Sequence, residues 1–405
     1  MRRSLAWSWM CVVVMAVLAH GGASPSGSGV DPIGRLGDPN SFPIAVWLQN
    51  PARAGLYRAA GINLYVGLWK GPTEDQLRSL KQAGMSVICH QNEVGLAHVR
   101  DATIVGWMHG DEPDNAQSLG EGKGYGPPIP PETIVQEYER MRAMDPSRPV
   151  LLNLGQGVAW DGWTGRGVRT NHPEDYPAYV RGCDIASFDI YPVTHPRPEI
   201  SGKLWTVAQG VERLVGWAGP GRRVWNCIEC TRISDPKHKP TPHQVRCEVW
   251  MSIVHGSHGL IYFVHEWQPR FNEAALLSDP NMLAAVTAIN RQVQGLAPVL
   301  NGPSLSDGLA VASSDAEVPV AATMKGHAGS AYVFAVAMRD QATRATFTIQ
   351  GLTGTIPVTV LDEDRTLECR DGVWVDDFQP WDVHLYRLAR TEGGDVLGGR
   401  RAPTH

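Results

Sequence analysis

Over its first three hundred residues the chain sets short apolar runs against longer amphipathic ones. Eight apolar runs appear in order: Pro43–Gln49, Ile62–Trp69, Met85–Gln91, Ile104–His109, Pro149–Leu154, Asp184–Val193, Arg223–Glu229 and Gly259–Trp267. Most are continuous rather than alternating, the pattern of parallel strands covered on both faces. Helical periodicity falls between several of them. Glu74–Ala83 follows the cap-like Pro72-Thr73 and stops at Gly84. Pro131–Met144 carries Ile134, Tyr138 and Met141 on one face, and Pro242–His255 carries Val245, Val249 and Ile253. A further helix is expected near Asn281–Gln294. Eight strands with intervening helices over about 250 residues predict an α/β fold, a (β/α)8 TIM barrel, here across residues 41–298. An open doubly wound sheet would carry a Gly-rich loop after its first strand, and this chain has Gln49-Asn50-Pro51 there.

The texture changes after Val299. Short runs at Leu309–Ala312, Ala331–Met338, Ala345–Ile349, Ile356–Leu361 and Val383–Leu388 are punctuated by Gly, Asp and Asn. They predict a small all-β sandwich over residues 299–390. The Gly/Arg-rich segment 391–405 reads as a disordered tail. At the other end, Arg2 and Arg3 precede the apolar stretch Met10–Leu18 and the small residues Gly21-Gly22-Ala23. Residues 1–23 therefore read as a signal peptide and 24–40 as a linker, which predicts a secreted or periplasmic protein. Nothing later reaches the roughly 18 apolar residues of a spanning helix, so no membrane association is expected once the signal is removed.

Composition alters this picture in three places. The net charge of −5 gives no electrostatic reason to expect nucleic acid as a partner. Fourteen Trp against seven Phe is an unusual balance, and indole faces suit stacking on sugar rings as well as core filling. Trp160 and Trp163 lie in the long loop 155–182, which is expected to leave the binding face of a barrel. Six cysteines follow the signal: Cys89, Cys183, Cys227, Cys230, Cys247 and Cys369. Export permits disulfides, and a Cys230–Cys247 pairing stays open. Cys227-Ile228-Glu229-Cys230 is a lone C-x-x-C without the second pair that zinc requires, so no metal or cofactor is implied.

The chemistry concentrates where strands end. Gly106-Trp107-Met108-His109-Gly110-Asp111-Glu112-Pro113-Asp114 closes the fourth run on acids, and Arg223–Glu229 closes the seventh on Glu229. In a barrel both ends face one mouth, where Glu112 and Glu229 could flank a glycosidic bond, one protonating the leaving oxygen and the other attacking or activating water. Trp47, His90, Asn92, His109, Asp111, Asp189, Tyr191, His265, Glu266 and Trp267 also fall at or near strand ends and are candidates to line the cleft. Bland readings stand beside these: Glu112 as a cap, Glu229 paired with Arg223 or Arg232, Tyr191 and Trp267 as packing. Two other functions fit the same residues: a carbohydrate-binding barrel without catalysis, and a metal-dependent hydrolase built on His90, His109 and Asp189. The expected partner is a carbohydrate. Oligomeric state is not encoded in any of these signals.

In this arrangement the chain resembles the large clan of retaining glycoside hydrolases that includes cellulase-like, β-galactosidase-like and agarase-like families. The resemblance rests on Glu112 after strand four, Glu229 after strand seven and Trp267 after strand eight, and spans roughly residues 40–390 as architecture. It implies that Glu112 is the acid/base and Glu229 the nucleophile. It implies that Tyr191 hydrogen-bonds the nucleophile and Trp267 stacks on a sugar. One position departs from it: Asp111 stands where the clan usually has Asn before the acid/base. An ionised Asp accepts from a sugar hydroxyl but cannot donate, and its charge would raise the pKa of Glu112.

Overall fold

The structure, a computed structural model, describes residues 34–305 and 308–389. Nine strands build the first sheet: β1 (Ile44–Trp47), β2 (Leu64–Val66), β3 (Ser86–Cys89), β4 (Ile104–Met108), β5 (Val150–Leu154), β6 (Ile185–Phe188), β7 (Arg223–Val224), β8 (Asn226–Glu229) and β9 (Leu260–Phe263). All pairs are parallel, and the order β7-β6-β5-β4-β3-β2-β1-β9-β8 puts the two halves of one chain segment at the sheet's ends. The seventh barrel strand is thus broken at Trp225, and the chain itself closes the ring. Trp225 N–H donates to Ala186 O, and its indole is fully buried. Gly259 makes room for that indole, since a Cβ at 259 would fall 2.5 Å from it.

The strands are apolar on both faces because both faces are covered. Ala45, Val66, Ile88, Met108, Cys227 and Ile261 fill the barrel interior, while Val46, Tyr65, Val87, Trp107, Ile228 and Tyr262 pack beneath the helices. Each of the Val, Ile and Met side chains among them stabilises the fold by roughly 1.5–3 kcal/mol on burial. The helices start where their caps allow. Thr73 and Thr241 each form a reciprocal capping box, with Gln76 and Gln244, ahead of Glu74–Ala83 and Pro242–Val254. Gly84 ends the first of these at a left-handed φ of 64°.

The second sheet has eight antiparallel strands: β10 (Leu309–Ser313), β11 (Val320–His327), β12 (Ser330–Ala337), β13 (Thr343–Ile349), β14 (Thr355–Val360), β15 (Arg365–Arg370), β16 (Val373–Phe378) and β17 (Val383–Leu388). Its order is β10-β13-β16-β15-β14-β17-β12-β11, and the end strands β10 and β11 come back into contact, folding the sheet over a core of its own. β11, β15 and β16 are absent from the sequence reading. β15 and β16 alternate buried and exposed positions and carry charges, so they offer no apolar run. The sheet's other face joins the barrel's core: Trp250 of helix Pro242–Val254 lies 5.3 Å from Phe334, ring to ring.

All six described cysteines are free and buried, so the Cys230–Cys247 pairing left open above is not made. The expected signal peptide, the first part of the linker and the expected tail lie outside the described residues. Among the described residues no helix is long and apolar enough to cross a membrane.

Candidate active site

A cavity of about 860 Å³ opens at the C-terminal ends of the barrel strands. Trp47 and Gln49 reach it from β1, Asp111 and Glu112 from β4, Asp189 and Tyr191 from β6, Phe263 and His265 from β9. The loop after β2 adds Trp69, and the loop after β9 adds Trp267, Phe271 and Glu273.

The acids owe their placement to an unusual turn. β4 stops at Met108, and the chain bends so that Glu112 takes φ 45°, a left-handed conformation uncommon outside glycine. Neighbours hold it there. Glu112 N–H donates to Asn153 O at 3.1 Å, and Asn115 N–H donates to Glu112 O at 3.1 Å. Two residues on, Asp114 is fully buried and accepts from Gly155 N–H at 2.9 Å and from the Tyr176 hydroxyl at 2.8 Å. Gly155 lets the loop after β5 close on the acids: a Cβ there would sit 3.0 Å from Glu112 Oε1. Such local strain clusters at functional sites.

Three carboxyl groups meet in the cavity. Asp111 is open to solvent on the cavity side and crowded by protein elsewhere, and its Oδ1 accepts from Asn153 Nδ2 at 2.9 Å. The Ser187 hydroxyl donates to Asn153 Oδ1 at 2.7 Å, which fixes that amide's orientation. Glu112 and Asp189 lie side by side, and the Tyr191 side chain lies next to Asp189. Asp189 Oδ1 is buried without a conventional donor in reach, and a proton on the facing Glu112 would supply one. Burial is the largest influence on all three, followed for Glu112 by the charges of Asp189 and Asp111. It pushes Asp189 up to about 7 and Glu112 well above the ordinary carboxylate range, and raises the more open Asp111 as well. The neighbouring Glu112 and Tyr191 side chains oppose the rise of Asp189, while the nearby Asp189 adds to the rise of Glu112.

Aromatic rings border the acids. Trp267, 51% exposed, lies 4.8 Å from Phe271 and stacks near His265 at 6.2 Å. Trp69 is more exposed still, on a different loop of the mouth. Gln49 accepts from the Tyr57 hydroxyl at 2.6 Å and lies 3.2 Å from His265 Nε2, while Arg53 ties down Glu273 at 2.6 Å. Among the described residues no Lys or Arg lines the cavity.

Of the residues expected in the cleft, Trp47, Asp111, Glu112, Asp189, Tyr191, His265 and Trp267 line it. The others go elsewhere. Glu229 is fully buried outside the cavity lining, its carboxylate accepting from Val193 N–H, Thr194 N–H at 3.1 Å and the Thr194 hydroxyl at 2.9 Å. It pairs with neither Arg223 nor Arg232, and Tyr191 lines the cavity beside Asp189 rather than meeting Glu229. His109 follows the inward Met108 and so turns outward, buried between Gly182 O at 2.8 Å and Glu137 at 3.4 Å. His90, His109 and Asp189 therefore do not converge, and no group of three His, Cys, Asp or Glu among the described residues is placed to hold a metal ion. Asn92 is the cap of helix Glu93–Ala97, its side chain accepting from Gly95 N–H at 2.8 Å. His90 is half-buried off the lining. Glu266 pairs with Arg232 at 3.3 Å beside a separate, smaller cavity. Trp160 and Trp163 pack on each other and on His195. The sequence reading missed Gln49, Trp69, Phe271 and Glu273. Gln49 was findable, being two residues beyond the inward Trp47.

No family model matches the chain, and no curated protein matches it. Solved structures do. A maltogenic α-amylase from Thermotoga neapolitana aligns with a TM-score of 0.55 and 8% identity, over 88% of this chain and 100% of that one. The α-galactosidase I of Mortierella vinacea gives 0.53 and 11%, over 87% and 98%. A variant of AmyP in complex with maltotriose gives 0.52 and 10%, over 86% and 97%. At such identities the shared property is the fold: a barrel followed by a β-sandwich.

Proposed function

We propose that this chain hydrolyses O-glycosidic bonds, with Glu112 as proton donor and Asp189 as the attacking carboxylate. The observation that carries this reading is the contact between those two carboxyls in an aromatic-bordered cavity at the barrel mouth. Glu112, whose pKa is raised by burial and by the charges of Asp189 and Asp111, holds a proton for the leaving oxygen. Asp189, steadied as an anion by the Tyr191 hydroxyl, bonds to the anomeric carbon as the C–O bond breaks. Water then attacks that carbon, displaces Asp189 and returns its proton to Glu112. Inverting enzymes keep roughly 6.5–9.5 Å between carboxyls to seat a water, and retaining ones about 5–5.5 Å. Two neighbouring carboxyls lie nearer the retaining separation than the inverting one. Substrate must break the contact between them in order to bind. Asp111 accepts from a sugar hydroxyl, and Trp267 with Phe271 offers a stacking face.

A lining of Asp111, Glu112, Asp189 and Glu273, with no Lys or Arg among the described residues, favours uncharged glycans over uronates or sulfated sugars. The α-amylase and α-galactosidase that share the fold lend general support to a glycosidase. The signal-like segment 1–23 supports export. The test is a panel of aryl glycosides and neutral oligosaccharides, with the first-formed anomer followed by NMR. Release of the inverted anomer would overturn the retaining assignment. Full turnover in both Glu112→Gln and Asp189→Asn would overturn the pair.

A further inference from the structure

Behind the cavity lies a second pair of acids that the chemistry above does not use. Glu229 closes β8, and Glu248 sits mid-way along helix Pro242–Val254, both fully buried. Neither oxygen of Glu248 has a conventional donor in its surroundings. Its partner is the Glu229 carboxyl, with which it shares a hydrogen bond. Two carboxyls bond only if one carries a proton, so the pair holds one O–H between them. Glu229 then has four donors for the roughly four lone-pair sites of a carboxylate. They are Val193 N–H, Thr194 N–H, the Thr194 hydroxyl and the Glu248 O–H.

Three of these four come from the segment that carries the cavity's acid. Asp189-Ile190-Tyr191-Pro192-Val193-Thr194 runs without a break from the cavity to Glu229. Pro192 stiffens the middle of it by fixing its own φ. Tyr191, which lines the cavity beside Asp189, stands two residues before Val193. A shift at Val193 and Thr194 is therefore handed directly to Asp189 and Tyr191.

We propose that Glu229 is a positioning residue: its carboxylate, completed by the Glu248 O–H, ties the Val193–Thr194 backbone to the end of β8 and so holds Asp189 and Tyr191 in the cavity. Only its effect on turnover rests on the glycosidase reading. The tie itself is a property of the fold.

The experiment combines hydrogen exchange with kinetics on the full chain. In Glu229→Ala the amides of residues 189–195 should exchange at least about tenfold faster, with β1 and β2 unchanged. Thr194→Val, which removes one donor and keeps the shape, should show a smaller increase in the same segment and carries the test if Glu229→Ala does not fold. On a glycoside that the wild type cleaves, Glu229→Ala should lose about 100-fold in kcat with KM within a few-fold. Azide should not restore it. Glu248→Gln, whose amide N–H can replace the O–H, should stay near wild type in both readouts. Unchanged exchange at 189–195 in both Glu229→Ala and Thr194→Val would overturn the tie. Azide restoring turnover to Glu229→Ala would overturn the positioning role and make Glu229 the nucleophile. Absence of any glycosidase activity in the wild type would sink the glycosidase reading alone, because the exchange arm would still decide the tie.

Discussion

Two barrel strands end on glutamate, and they end in opposite circumstances. At β4 the chain bends through a left-handed Glu112 and presents acids to an open cavity. At β8 the loop from β6 folds over the strand end, and Glu229 is consumed by backbone donors. In both places carboxyls touch carboxyls, and burial raises their pKa values: Glu112 and Glu248 well upward, Asp189 and Glu229 each to about 7. What separates them is access. The β4 cluster has a side open to the cavity, while both glutamates of the β8 pair are fully buried. A perturbed acid marks a site only where a substrate can reach it.

The strongest way to break this contrast is to remove the two glutamates in turn. Glu112→Gln should cost about 10²–10⁴ in kcat on substrates with poor leaving groups, and much less on activated aryl glycosides that need no protonation. Equal losses on both substrate types would deny Glu112 the role of proton donor. Thermal melts then examine the sealed pair. Glu229→Ala leaves buried N–H groups of Val193 and Thr194 without acceptors and should destabilise the fold by about 3 kcal/mol. Asp189→Asn should not destabilise it at neutral pH, since it replaces an acid that burial already disfavours as an anion.

The pH dependence sharpens the contrast further. Asp189 must be ionised and Glu112 protonated, so kcat should fall on the acid side near pH 7 and on the alkaline side as Glu112 loses its proton. Stability runs differently. The folded pKa of Asp189 lies above its unfolded value, so the folded state binds more protons. Its contribution is most favourable below the unfolded pKa and is lost as pH rises through about 7. Asp189→Asn should therefore gain melting temperature relative to wild type as pH rises across that range, and a constant difference from pH 5 to 9 would contradict the assignment. The smallest effect is expected at the rim. Trp267→Ala removes a stacking face worth about 0.5–1.5 kcal/mol, a several-fold rise in KM with kcat nearly unchanged.

The barrel was legible because strands buried on both faces write themselves as continuous apolar runs, and the runs at residues 43–49 through 259–267 each contain an observed strand. Part of the cavity was legible too, since Asp111, Glu112, Asp189 and His265 sit at strand ends. His109 was a misreading that strand alternation could have prevented, because it follows the inward Met108. Glu229 was not recoverable this way. Nothing local to Asn226–Glu229 reports that the backbone at 193–194, more than thirty residues earlier, folds over it. Glu273 and Phe271 lie in a loop that carries no periodicity at all.

The shared layer between Trp250 and the face of β12 bears on how this molecule comes apart. Phe334, Val336 and Leu385 belong to the same continuous core as the barrel helices. A barrel cut free near residue 300 would bare that layer to water, the kind of exposed apolar patch that drives aggregation. The two lobes should accordingly melt in one calorimetric transition, and a protease should find no cut that releases either lobe intact.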